Sequence, residues 1–196
     1  MSPRPMYEGY RPAAKWLHWL TALAILTTIP LGIAMVNAAP GPTQNSLYDL
    51  HRSFGALVLA LAAVRLAVRL LKGAPAPHPA LGPLLRALSL TVHRALYVLI
   101  VLVPLLGWAG TSAFGAQITV FGLFVLPPIL PKDEALSALL LSLHKLAAFT
   151  LAALAALHIG AGLWHGFVRR DGVLERMLPT RRTDPPMAGR EDRRGQ

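Results

Sequence analysis

Four long apolar runs constrain this chain more than any other feature. They lie near residues 13–36, 50–71, 84–109 and 136–167, and each reaches the roughly 20 helical residues that cross a hydrocarbon core. Inside a bilayer every backbone N–H and C=O of such a run must be satisfied within the run itself, which makes it an α-helix. With 54% hydrophobic residues over 196 positions, the chain also carries more apolar surface than one soluble core of that size hides. The expected fold is all-α, an integral membrane antiparallel four-helix bundle with simple up-and-down order.

The segments between the runs read as connectors. NAAPGPTQNS at 37–46 is rich in turn residues, and GAPAPHPALGP at 73–83 holds too many prolines to continue a helix. Residues 110–135 contain ITVFGLFVLPPILP, too short and too broken by Gly and Pro to span, so this stretch is expected at the interface or as a cap on the bundle. The first run, followed by NAA, has the look of a signal peptide, but its length and Pro30 make it an uncleaved span. Residues 1–182 thus form one membrane domain, and 183–196, polar and dense in charge, form a disordered tail.

The formal charge of +10 would suit a nucleic-acid binder, but most of the basic residues lie outside the apolar runs or near their ends. No nucleic-acid partner is expected, and the charge is read as topology. Arg4, Arg11 and Lys15 precede the first span, Arg69, Lys72 and Arg86 flank the second connector, and Arg169, Arg170, Arg176, Arg181 and Arg182 follow the last. Only Arg52, Lys132 and Lys145 lie on the opposite side. By the positive-inside rule both termini are cytoplasmic. The chain has no cysteine, which excludes c-type haem attachment, thiolate ligation and iron–sulfur clusters, and leaves His, Met or carboxylate to hold any metal.

Ionisable groups at membrane depth are costly and need a reason. His18 lies early in the first span, on the cytoplasmic side; His51 opens the second and His144 the fourth, both on the outer side. His158 follows His144 by fourteen residues, nearly four turns, which returns it to the same face about 21 Å deeper. Depth therefore pairs His51 with His144 and His18 with His158. Two imidazoles on opposite sides of a haem close its iron to substrate and favour electron transfer, and two stacked haems make a transmembrane wire. Singly, each histidine is explained equally well by a helix-to-helix hydrogen bond; four that resolve into two depth-matched pairs are not. His93, near the inner end of the third span, is the alternative partner at the inner site. His165 beside Arg169 and Arg170 reads as interfacial, and His78 as solvated in the proline-rich connector. Met35 is the methionine nearest the outer pair, where two imidazoles already suffice.

Arg65 follows His51 by the same fourteen residues and so faces the bundle at the depth of the inner haem, where it either pairs with a propionate or quinone oxygen or snorkels to the headgroups with Arg69 and Lys72. Arg52, Lys145 and Lys132 form a local positive patch at the outer side that would attract a small anion, and they serve equally as interfacial anchors. Neither Trp16, Trp19, Tyr97 nor Trp164 singles out a quinone site.

The residues Trp16-Leu17-His18-Trp19, Leu50-His51-Arg52-Ser53-Phe54-Gly55, Leu143-His144-Lys145, Leu157-His158 and the run RDGVLERMLP at 170–179 together resemble the bacterial dihaem cytochrome b561 family. That resemblance covers the chain from Tyr10 to Arg182. It implies two haem b groups, the cytoplasmic-side one held by His18 and His158 and the periplasmic-side one by His51 and His144, in a multi-pass protein of the bacterial inner membrane. It further implies electron exchange with ubiquinone and, for some members, oxidation of superoxide at the periplasmic face. Related b-type subunits anchor hydrogenases and formate dehydrogenases to the quinone pool, so a protein partner is the alternative that the resemblance leaves open.

Overall fold

The computed structural model of the chain describes residues 10–73, 75 and 82–179. Three of its four long helices open on a proline at the first turn: α1 (Pro12–Asn37), α2 (Pro42–Lys72) and α3 (Pro83–Phe114). Proline is suited to that position because its fixed φ is already helical and its missing N–H would have had no partner there. The fourth helix, α4 (Glu134–Leu163), starts instead from Asp133, whose carboxylate accepts the Leu136 N–H at 3.0 Å. It runs on without a break into a π-helical turn, Trp164–Arg169.

Two boundaries differ from the sequence expectation. The connector at 37–46 is shorter, because the helix-ready φ of Pro42 starts α2 before the apolar run itself begins. The third helix continues to Phe114 and stops where Gly115 turns left-handed at φ 86°. The stretch expected to cap the bundle then forms a small antiparallel pair, β1 (Ile118–Val120) and β2 (Phe124–Leu126), with Ile118 opposite Leu126. Ser53 of α2 ties it down: its Oγ accepts the Phe121 N–H at 2.9 Å, while the Phe54 and Phe121 rings meet edge to face at 5.3 Å. Trp108 Nε1 donates to the Pro127 carbonyl at 3.0 Å from the α3 side.

The bundle is a membrane structure in its packing. All four long helices are long and apolar enough to cross a bilayer, and large apolar side chains such as Leu70, Leu71 and Leu84 point outward, where lipid covers them. The residues buried deepest are small: Thr21, Ser53, Ala62 and Ala113. Lipid gives no hydrophobic drive for helices to associate, so close approach of small residues and interhelical hydrogen bonds hold them instead. Gly110 on α3 shows both, for a Cβ there would come within 2.8 Å of Leu141 on α4, and its carbonyl accepts from Ser137 Oγ at 3.0 Å.

Helix α1 packs on α2, α2 on α3 and α3 on α4, but α4 makes little backbone contact with α1 or α2. The ring is therefore held open along one side of α4. At the end that carries both termini, residues 170–179 bridge this side as a strap: Trp19 Nε1 donates to the Met177 carbonyl at 2.8 Å, and Lys15 Nζ to that of Leu178 at 2.9 Å. Leu174 fills the space above Gly166 and reaches Gly162. The tail at 183–196 and His78 lie outside the described residues.

Replacing Gly110 with Val should cost about 1–3 kcal/mol through overpacking of α3 against α4, read as a lower thermal unfolding midpoint in detergent. An unchanged midpoint would contradict this packing.

Candidate functional site

Two pairs of imidazoles reach across the open side of α4. At the hairpin end His51 of α2 faces His144 of α4, with ring centroids 6.0 Å apart and planes at 87°. At the terminal end His18 of α1 faces His158 of α4, at 6.1 Å and 76°.

The hairpin-end pair is built twice over on one local plan. His51 Nδ1 donates to the Thr28 carbonyl of α1 at 3.1 Å, and His144 Nδ1 to the Val103 carbonyl of α3 at 2.9 Å. A carbonyl can only accept, so in both rings Nδ1 carries the proton and Nε2 keeps its lone pair. Four residues beyond each carbonyl stands a glycine that makes room for the ring. A Cβ on Gly32 would lie 2.9 Å from His51, and one on Gly107 3.1 Å from His144. Pro30 and Pro104 fall in the same turns and interrupt the helical ladder there.

The terminal-end pair is set differently. The Trp19 ring lies edge to face on His18 at 5.5 Å, and His18 Nδ1 is buried with no hydrogen-bond partner among the described residues. His93 of α3 comes within 5.0 Å of His158, its own Nδ1 bound to the Ser89 carbonyl at 2.6 Å. One turn further along α3, Tyr97 is flanked by two guanidinium groups of α2, Arg65 at 5.3 Å and Arg69 at 5.1 Å. Arg65 is close enough to His18 and His158 to act on both electrostatically, and no carboxylate pairs with it among the described residues.

These dimensions fit a haem. A metal–imidazole bond of about 2 Å and a ring radius of about 1.1 Å put the centroids of two trans imidazoles roughly 6.2 Å apart. Both cross-bundle pairs meet that spacing, whereas His93 and His158 stand too close together to bind one iron from opposite sides. The described residues hold no cluster of three or more His, Asp or Glu suited to a metal ion. Each pair could thus offer two ligands, a number that suits an iron whose other four come with its porphyrin. The open side of α4 leaves the room, as does Gly55 one turn beyond His51, where a Cβ would meet nothing within 4 Å.

His165, expected to be interfacial, has a fixed partner. It lies in the π-helical turn, with Nδ1 2.7 Å from Asp171 Oδ2, and Arg169 Nε is 3.2 Å from the same oxygen. Burial pushes the Asp171 carboxyl up, but the hydrogen bonds from His165 and the Val173 N–H, with the Arg169 charge, outweigh it and hold the group below its usual 3.8. Sequence reasoning missed this couple because its members sit on opposite sides of a helix end; a π-helical turn, common at functional sites, has no reliable sequence signal. At the hairpin end, Arg52 shares its charge with Asp49 at 3.6 Å, Lys145 is exposed, and the Lys132 stem runs over Gly115. Met35 offers only its carbonyl, to Gln44.

Substituting Gly107 with Val should displace His144 and disturb the hairpin-end site alone, visible as the loss of one of two spectral components in protein that still folds. Loss of neither would contradict the clearance argument. The stability that Asp171 gives the strap should be fully present above pH 3.8 and disappear as pH falls through its lowered value. Limited proteolysis within 170–179 would read this, and Asp171→Asn should cleave readily at neutral pH as well.

A family model for prokaryotic cytochrome b561 matches residues 9–180. Cytochrome b561 homolog 2 of Escherichia coli K12 is 30% identical over 172 residues, which cover 87% of this chain and 92% of that protein. Cytochrome b561 homolog 1 of the same strain is 32% identical, covering 85% and 95%. A probable superoxide oxidase, CybB, of Yersinia pestis is 28% identical, covering 90% and 99%. The chain belongs to the prokaryotic cytochrome b561 family: it is an electron-transferring, b-type membrane cytochrome that crosses the bacterial inner membrane several times.

Proposed function

We propose that this member of the prokaryotic cytochrome b561 family binds two haem b groups and carries electrons between the two faces of the membrane, from superoxide outside to ubiquinone. The single observation that carries the reading is that imidazoles bridge the open side of α4 twice, at 6.0 and 6.1 Å, one pair near each end of the bundle. His51 and His144 hold the first haem and His18 and His158 the second. The excess of basic residues around the termini supports a cytoplasmic terminal end and, with it, a periplasmic hairpin end.

A bound haem supplies reversible one-electron chemistry at its iron. A haem held by one histidine from each side would be directed to electron transfer rather than oxygen activation. The Thr28 and Val103 carbonyls hold two of the imidazoles in the tautomer that leaves Nε2 free to ligate. Arg65, near the terminal-end pair and without a carboxylate partner among the described residues, is placed to neutralise a haem propionate.

Each superoxide gives up one electron to become dioxygen, so two are oxidised for each quinone that takes two electrons and two protons. Lys132 and Lys145 supply positive charge on the face where superoxide would arrive. The His165–Asp171 couple at the other end keeps a proton at Nδ1, and its location supports quinone protonation on the cytoplasmic side. The smaller positive field left once Arg52 is shared with Asp49 still predicts a superoxide rate that falls as salt rises.

A reduced-minus-oxidised spectrum with a haem-to-protein ratio tests this reading on wild type, His51→Ala and His158→Ala. The expected result is two haems in wild type, each substitution removing a different one, with superoxide-dependent quinone reduction lost in both. One haem indifferent to either change would contradict it.

A further inference from the structure

We propose that the second environment of each histidine pair poises the two haems unequally, the terminal-end haem at the higher potential, so that electrons run downhill from the His51–His144 end to the His18–His158 end. This rests on the two-haem reading above. Groups that strengthen electron donation by the ligands favour the oxidised iron, and positive charge nearby favours the reduced iron.

Three differences between the sites act in one direction. At the hairpin end both ligands donate Nδ1–H to main-chain carbonyls, Thr28 at 3.1 Å and Val103 at 2.9 Å, which raises the basicity of each imidazole. At the terminal end His18 Nδ1 has no acceptor among the described residues, so that ligand lacks the same reinforcement.

The second difference is charge. Arg65 stands fourteen residues beyond His51 on α2, about 21 Å along the axis, and stacks on Tyr97, one turn past the His93 that touches His158. No carboxylate among the described residues offsets it. If a propionate lies beside it, the guanidinium cancels that negative charge, with the same effect on the iron. The third difference is the state of the cations at the other end. Arg52 acts electrostatically on His51 but its charge is partly offset by Asp49 at 3.6 Å, and Lys145 beside His144 is exposed and screened by salt. With both haems bound, one electron would leave the haem held by His51 and His144 and reach the one held by His18 and His158, oxidising the first by one electron and reducing the second by one, with no proton passing between them.

Redox titration of the purified, haem-loaded protein in lipid nanodiscs tests the proposal. Wild type should show two midpoints, with the upper one retained in His51→Ala and the lower one in His158→Ala. Arg65→Gln should lower only the upper midpoint, by about a tenfold shift in its reduction equilibrium, which is 59 mV for one electron. Arg52→Gln should leave the upper midpoint in place. Coincident midpoints, an upper midpoint that survives in His158→Ala, or an Arg65→Gln shift in both haems or neither would overturn it. Where the single-haem variants fail to fold, Arg65→Gln and Arg52→Gln against wild type still decide. A protein with fewer than two haems would overturn the reading beneath it as well, and the haem ratio tells the two failures apart.

Discussion

Everything at the centre of this bundle follows from the cost of placing an imidazole at membrane depth. Each ring has two nitrogens, and in a low-dielectric interior both need partners. At the hairpin end one nitrogen of each ring is spent on a carbonyl, Thr28 for His51 and Val103 for His144. The remaining nitrogens belong to rings that face each other 6.0 Å apart across the open side of α4. A glycine, Gly32 or Gly107, gives each ring its place, and a kinking proline lies in the same turn. The helices are thus shaped around the rings.

The same requirement explains why α4 stands away from α1 and α2. A four-helix ring closed by ordinary packing would bring every neighbouring pair to about 8–10 Å, yet here α4 keeps close company with α3 alone. What joins it to the far side is the two histidine pairs and, at the terminal end, the strap that carries the Met177 and Leu178 carbonyls to Trp19 and Lys15. Small buried residues such as Ala62 and Thr21 and the Ser137–Gly110 hydrogen bond hold the remaining contacts tight. In this way the packing that stabilises three interfaces leaves the fourth free.

Much of this was legible in the chain itself. Helix count and order came from apolar run length, since a bilayer leaves a segment of that size one form. The matching of His18 with His158 and His51 with His144 came from the fourteen-residue spacing on α4 and the depth of each span. What escaped were features made by partners distant in sequence. The carbonyls of Thr28 and Val103 carry no side-chain signature, and the glycines beside the rings look like any other glycine in an apolar run. The His165–Asp171 couple depends on a π-helical turn that periodicity does not reveal, and the start of α2 at Pro42 depends on one dihedral angle rather than on hydrophobicity. Local chain chemistry located the elements; only the packed structure shows how their backbones serve the rings.

Electron paramagnetic resonance of the oxidised protein tests most directly whether the paired imidazoles each hold a haem iron. Imidazole planes turned by 76° and 87° predict, if each pair holds a haem, two low-spin ferric centres per chain, both with the strongly anisotropic signals of near-perpendicular imidazoles. High-spin ferric signals, or a single low-spin centre, would contradict ligation by His18 with His158 and His51 with His144.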